Sequence, residues 1–220
     1  MIKIYEDYDK TERIAWKLEE AKNEATYLWE KRIYELSQTA TTEDGKSLPL
    51  EKMIPPYQIP FRHLCNLIQI ADGDVEKALA SLKGEPSAGI SPEQIPALRE
   101  RALCAKYWVE NCAPDEFCFR LRSAGEKAEL TDSEKAAICL LRDEVIARIE
   151  TFTDEKSCAQ AVYAIAEKAG IEPKVLFRAA YQVLIGKDQG PRLASFLRSI
   201  DKQRLTEILL HYDSPVVLYS

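Results

Sequence analysis

The stretch Leu184-Ile185-Gly186-Lys187-Asp188-Gln189-Gly190-Pro191-Arg192-Leu193 decides how the chain is read, because one apolar-periodic segment ends there on a glycine and the next opens on a proline. Gly186 suits the left-handed position that closes a helix. Pro191 suits the first turn of the following helix, where its missing N–H costs no hydrogen bond. A short basic loop therefore opens onto a helix N-terminus, whose backbone N–H groups and dipole attract phosphate, and Lys187 and Arg192 add mobile positive charge beside it. The same pattern joins any two neighbouring helices, so spacing alone does not make it a site. Charge distinguishes it: between Pro173 and Arg204 the basic residues Lys174, Arg178, Lys187, Arg192, Arg198, Lys202 and Arg204 stand against Asp188 and Asp201, a local excess of +5 in a chain of net charge −6.

Working outward, the C-terminal part is helical throughout. Thr131-Asp132-Ser133-Glu134 has capping-box spacing and is followed by Ile138, Leu141, Val145 and Ile149 on one face. Thr153 is the expected cap of a second helix that runs to Gly170, Pro173 starts a third, Pro191 a fourth and Asp201 a fifth. Five short helices on tight connections predict a compact helical bundle over 126–220, with a domain boundary at the glycine-centred Ser123–Lys127. The tail Val216-Val217-Leu218-Tyr219 has strand character if an edge is offered to it.

Upstream, 60–122 reads as a separate helical subdomain. A helix begins at Pro60 with Phe61, Leu64, Leu67 and Ile68 and closes near Gly73; another carries Val75, Ala78, Leu79 and Leu82; Ser91-Pro92 opens a longer one that ends before Pro114. Arg62 and His63 sit at a helix start, where they meet phosphate or simply water. Residues 38–59 are polar and broken by Pro49, Pro55 and Pro56, which predicts a linker. Residues 1–37 predict one or two connecting helices, capped at Asp9 with Glu12 three residues on, striped by Ile14, Leu18, Ala21, Ala25 and Leu28, and breaking near Asn23. Tyr27, Trp29, Lys31, Arg32 and Tyr34 interleave rings with charge, a pattern of base-stacking surfaces but more commonly of core and solvated flank.

With 220 residues, 46% hydrophobic and 30% charged, the chain suits a globular protein of two modest domains. No run approaches 18 apolar residues, and the acidic start Met1–Asp9 has neither the basic nor the apolar region of a signal peptide, so a cytoplasmic protein without membrane attachment is expected. The net charge of −6 argues against indiscriminate coating of nucleic acid, since non-specific affinity needs many Lys and Arg contacts, but allows a local basic face. Six cysteines form no C-x-x-C pair and only two histidines, His63 and His211, are present, so buried free thiols are expected in place of a zinc site or a Cys-His nucleophile.

Gln58-Ile59-Pro60-Phe61-Arg62-His63-Leu64, Leu98-Arg99-Glu100-Arg101 with Tyr107-Trp108-Val109 and Ala113-Pro114, and above all the run from Ile165-Ala166-Glu167-Lys168-Ala169-Gly170-Ile171 to Leu193 resemble the C-terminal, tRNA-binding half of class I lysyl-tRNA synthetases. Glu12-Arg13-Ile14 and Glu20-Ala21-Lys22-Asn23-Glu24 resemble the helix that leaves that family's catalytic domain, and the likeness covers nearly the whole chain. The resemblance implies an all-α module whose second subdomain holds the anticodon end of tRNA for lysine. The family's lysine- and ATP-activating signatures are not matched: Lys52-Met53 runs into Ile54-Pro55-Pro56, and no strand leads into a glycine-rich turn. No cofactor is therefore expected in this chain, ATP belonging to the family's catalytic domain, and the chain alone is expected to catalyse nothing.

The similar glutamyl-tRNA synthetases share this last bundle and read the first anticodon base with the loop after the helix-ending glycine. That likeness implies tRNA contacts at Gly190, Pro191, Arg192 and Leu193, with Tyr181 facing them as a stacking platform, and the surrounding charge adds Arg178, Lys187 and, in the other subdomain, Arg62. The expected partner is tRNA for lysine, without DNA, and the expected state a monomer. Two other classes stay open: a helical adaptor that binds protein through an apolar groove, and a helical enzyme with a carboxylate site among the 36 acidic residues.

Overall fold

The computed structural model describes residues 2–16, 21–37, 44–46, 49–54, 57–83 and 89–212, which form ten α-helices and no strand. The all-α class expected from periodicity holds. Contacts divide the chain into two compact units, Met1–Ile68 with Asp74–Cys112, and Gln69–Gly73 with Ala113–Ser220.

The first unit contains α1 (Ile2–Trp16), α2 (Glu24–Ser37), most of α3 (Phe61–Ile70), α4 (Val75–Lys83) and α5 (Ile95–Asn111). Phe61 anchors it, stacked on Tyr5 at 3.8 Å between ring centroids and meeting Trp108 edge-on at 6.0 Å. Ala15, Tyr34 and Leu50 form a smaller apolar cluster with Trp16 and Met53. Asp9 is not the expected cap. It lies in the middle of α1, buried, and binds the guanidinium of Arg101. Glu12 is likewise buried, accepting hydrogen bonds from the Tyr34 hydroxyl at 3.1 Å and the Gln58 amide at 2.8 Å. The expected break does fall near Asn23, whose side-chain oxygen caps α2 by accepting the Thr26 N–H at 2.8 Å. The described parts of 38–59 include a short 3-10 turn, Leu50–Lys52, that buries Leu50. Leu18 lies outside the described residues.

The second unit contains α6 (Asp132–Leu140), α7 (Glu155–Lys168), α8 (Pro173–Ile185), α9 (Leu193–Ser199) and α10 (Lys202–Leu209) around one apolar core. The Thr131 hydroxyl and the Glu134 carboxylate form the expected capping box of α6. After Leu140 the winding loosens to a π turn over Leu141–Val145 and tightens to a 3-10 turn over Ile146–Thr151, while Ile138, Leu141, Val145 and Ile149 all stay buried, so the predicted face is kept along a changed path. Asp154, not Thr153, caps α7, accepting the Ser157 N–H at 2.7 Å. Ser123–Lys127 is a turn inside this unit, closed by the Glu126 N–H on the Ser123 carbonyl at 3.1 Å. Val216–Tyr219 lies outside the described residues.

Among the described residues no helix is long and apolar enough to cross a membrane and no group of His, Cys, Asp and Glu side chains has the arrangement to hold a metal ion. Cys65, Cys139 and Cys158 are the buried free thiols expected, whereas Cys104 and Cys112 are exposed.

Candidate nucleic-acid interface

The site is built on the carboxyl end of α8. Pro173 takes the first turn of that helix and Gly186 closes it with φ 68° and ψ 24°, a left-handed conformation that glycine adopts without strain. The last carbonyls of a helix need donors from elsewhere. Here the Leu184 carbonyl accepts the Arg122 N–H at 2.8 Å, which pins the segment Phe119–Arg122 of the unit onto the helix end. That segment alternates: Phe119 packs on the core, edge-on to Phe196 at 5.3 Å, and Leu121 is buried, so Arg120 and Arg122 are directed away from the core.

The loop from Gly186 to Leu193 is held from within. Tyr181, expected as a stacking platform, is buried at 7% exposure and its hydroxyl donates to the Pro191 carbonyl. Burial raises its pKa to about 12, so the hydroxyl keeps its proton throughout the ordinary pH range. A side chain at Gly190 would place its Cβ 2.9 Å from the Tyr181 ring and 3.0 Å from Ile185 Cδ1. The tyrosine face is thus covered by the loop backbone and supports it, a correction to its expected role as a stacking platform for a base. Pro191 also departs from its expected place: α9 begins at Leu193, with Arg192 at its cap position at φ −50° and ψ 118°, so the proline precedes the helix instead of opening it. Leu193 is buried in the core.

Three of the expected basic residues prove to be engaged. Lys187 is not mobile, its ammonium donating to the Asp115 carbonyl at 2.6 Å and to the Cys118 carbonyl at 2.5 Å. Arg178 is paired at 2.6 Å with buried Glu134, although its own side chain is half exposed. Arg62 lies in the first unit, 3.9 Å from Glu6. Arg192 differs: it is exposed and has neither a hydrogen bond nor an ion pair among the described residues.

Arg120, Arg122 and Lys127 had no place in the sequence-based site. With Lys187 and Glu126 they line an open pocket of about 630 Å³ at the end of α8. Glu126 is occupied by a two-pronged pair with Arg120, at 2.8 and 3.1 Å, and by the Ser123 N–H, contacts that lower its pKa to about 2. Four cations face one carboxylate already in use. The signal available in the sequence was the alternation Phe119-Arg120-Leu121-Arg122, which turns both arginines away from the core once the two apolar residues are taken as inward.

No family model matches the chain. Three curated relatives, each named lysine–tRNA ligase, are similar along almost all of it: that of Treponema pallidum is 41% identical over 216 residues, 96% of this chain and 38% of that protein. That of Borreliella burgdorferi is 37% identical, covering 96% of this chain and 38% of the relative, and that of Thermococcus kodakarensis is 32% identical, covering 92% and 37%. The chain is homologous to a partial region of these proteins, spanning less than two-fifths of their length.

Proposed function

We propose, from a chain homologous along 96% of its length to a partial region of lysine–tRNA ligases, that it binds tRNA for lysine through the loop Gly186–Leu193, as the anticodon-recognising part of a class I enzyme. It works in the cytoplasm and leaves activation of lysine to a separate catalytic part. The observation that carries this reading is the loop itself: Gly190 and Pro191 locked over Tyr181, with Arg192, unengaged among the described residues, at the cap of α9. A preformed loop loses little conformational freedom when an unstacked base or phosphate settles on it, and a guanidinium serves both kinds of contact. Tyr181 acts from below, setting the loop's path instead of stacking on a base.

The test is a fluorescence-anisotropy titration of the chain with tRNA for lysine and with an anticodon-swapped transcript. Tighter binding of the cognate molecule, weakened by Arg192→Ala, supports the reading. Equal affinity for both transcripts overturns anticodon recognition, and lysine-dependent pyrophosphate exchange by the pure chain overturns the division of labour. One observation favours a second reading: on α2, Leu28, Trp29, Ile33 and Leu36 are exposed, an apolar face that suits a protein partner.

A further inference from the structure

Arg122 has the most unusual surroundings of the cations in the second unit. Its backbone N–H is bound to the Leu184 carbonyl and its guanidinium lies against Gly186, with Nη2 and Nε 3.1 and 3.2 Å from where a Cβ would stand. It is half-buried, yet the guanidinium has no hydrogen-bond or ion-pair partner among the described residues. Glu126, the one carboxylate among the described residues that line the pocket, is bound to Arg120 and to the Ser123 N–H. Lys187 is held by two carbonyls, which are neutral, so its charge is undiminished. The negative end of the α8 dipole explains how Arg122 and Lys187 are tolerated side by side, but it supplies only a partial charge against two whole ones. The pocket therefore keeps an excess of positive charge together with five guanidinium N–H donors that lack an acceptor among the described residues.

We infer that this pocket binds a phosphate of the RNA backbone, with Arg122 as the donor to its oxygens and Lys127 and Lys187 adding charge at the rim. The inference deepens the proposed function and rests on it, placing a backbone contact on the Gly186 side of the loop in addition to Arg192. Gly186 acquires a second role, because a side chain there would displace the guanidinium as well as strain the backbone. A phosphate group is the chemistry recognised, and free phosphate carries the same oxygens as RNA. RNA is the source of that phosphate, because the pocket is open to solvent and adjoins the loop assigned to RNA at Gly186 and Lys187.

The test compares parent chain, Arg122→Ala, Arg122→Lys, Lys127→Glu and, as a control of equal charge outside the pocket, Lys174→Ala. Each is first checked by circular dichroism, then titrated with tRNA for lysine at several salt concentrations and, separately, with inorganic phosphate by calorimetry. Arg122→Ala is expected to weaken cognate and anticodon-swapped tRNA alike by about ten-fold and to reduce the salt slope by about one contact's worth. Lys127→Glu should weaken both as well, Arg122→Lys should restore much of the slope, and Lys174→Ala should change little. If Arg122→Ala unfolds the chain, Lys127→Glu decides the question on its own. Parent affinity in both Arg122→Ala and Lys127→Glu overturns the inference while leaving anticodon recognition standing. Loss of inorganic phosphate binding without loss of tRNA binding overturns it too, by making the pocket a small-anion site. A parent chain that binds no tRNA overturns both the inference and the function on which it rests.

Discussion

Gly190 occupies a position where even one methyl group meets resistance. Its φ is not left-handed, so the constraint is one of space: the Tyr181 ring atoms stand 2.9 Å from the missing Cβ, and that ring is fastened by its hydroxyl to the Pro191 carbonyl. Gly190→Ala must push apart either the ring or the loop, which costs about 1–3 kcal/mol in a close-packed site. A thermal melt should register this as a fall of roughly 2–4 °C per kcal/mol for a chain of this size. An unchanged melting temperature would show that the loop is not seated on Tyr181. Arg192, exposed and unengaged among the described residues, has the opposite profile. Arg192→Ala should leave stability within about 0.5 kcal/mol of the parent, so any loss of RNA affinity is a loss of contact and not of fold.

Among the elements, α6 is capped and anchored by one buried side chain. Glu134 is 4% exposed and binds the Thr131 N–H and hydroxyl, each at 2.9 Å, as well as Arg178. Burial alone would raise its pKa, but the Thr131 and Arg178 contacts outweigh it and hold the carboxyl below its usual value of 4.5. A depressed carboxylate contributes stability that is present above its unfolded pKa and lost as pH falls through the folded one. Glu134→Gln should therefore cost about 1–3 kcal/mol at pH 7, as expected for a buried charged hydrogen-bond partner. The deficit should shrink as pH drops below 4.5, where the parent loses the same charge. A deficit constant from pH 7 to pH 3 would exclude this origin. This cap was legible in the sequence because donor and acceptor are three residues apart, as were Pro173 and Gly186 at the two ends of α8. Asp9 was misread because its partner, Arg101, is 92 residues away and no local pattern announces it. Tyr181 was placed on the right face of α8, but a helical period does not tell whether a following loop leaves that face open or lies across it, as Gly190 and Pro191 do. Arg120 and Arg122 needed the inward faces of their segment to be known, and only the packing of Phe119 on Phe196 and the burial of Leu121 settle those.

On the scale of the molecule, a net charge of −6 and a basic patch make opposite demands, and ionic strength separates them. A protein that coated RNA indiscriminately would need many cations. Here Arg122, Lys127, Lys187 and Arg192 are concentrated around one loop, Arg178 and Arg120 being paired with carboxylates. Each phosphate contact on a single-stranded region releases about 0.7 of a counterion, so three or four of them predict a log–log slope of affinity against salt of about −2 to −3. Cognate preference should persist as salt rises, since contacts to bases release few counterions while contacts to phosphates weaken. The apolar face on α2 would behave differently, because an interface formed by Leu28, Trp29, Ile33 and Leu36 buries hydrocarbon and shows almost no dependence on moderate salt. Measuring tRNA affinity at 50, 100 and 200 mM salt, values on the order of those that resolve such slopes, separates the two readings. A slope of −2 or steeper with retained cognate preference places recognition on the basic loop, whereas a flat line, or a preference that disappears as salt rises, removes the loop from anticodon recognition.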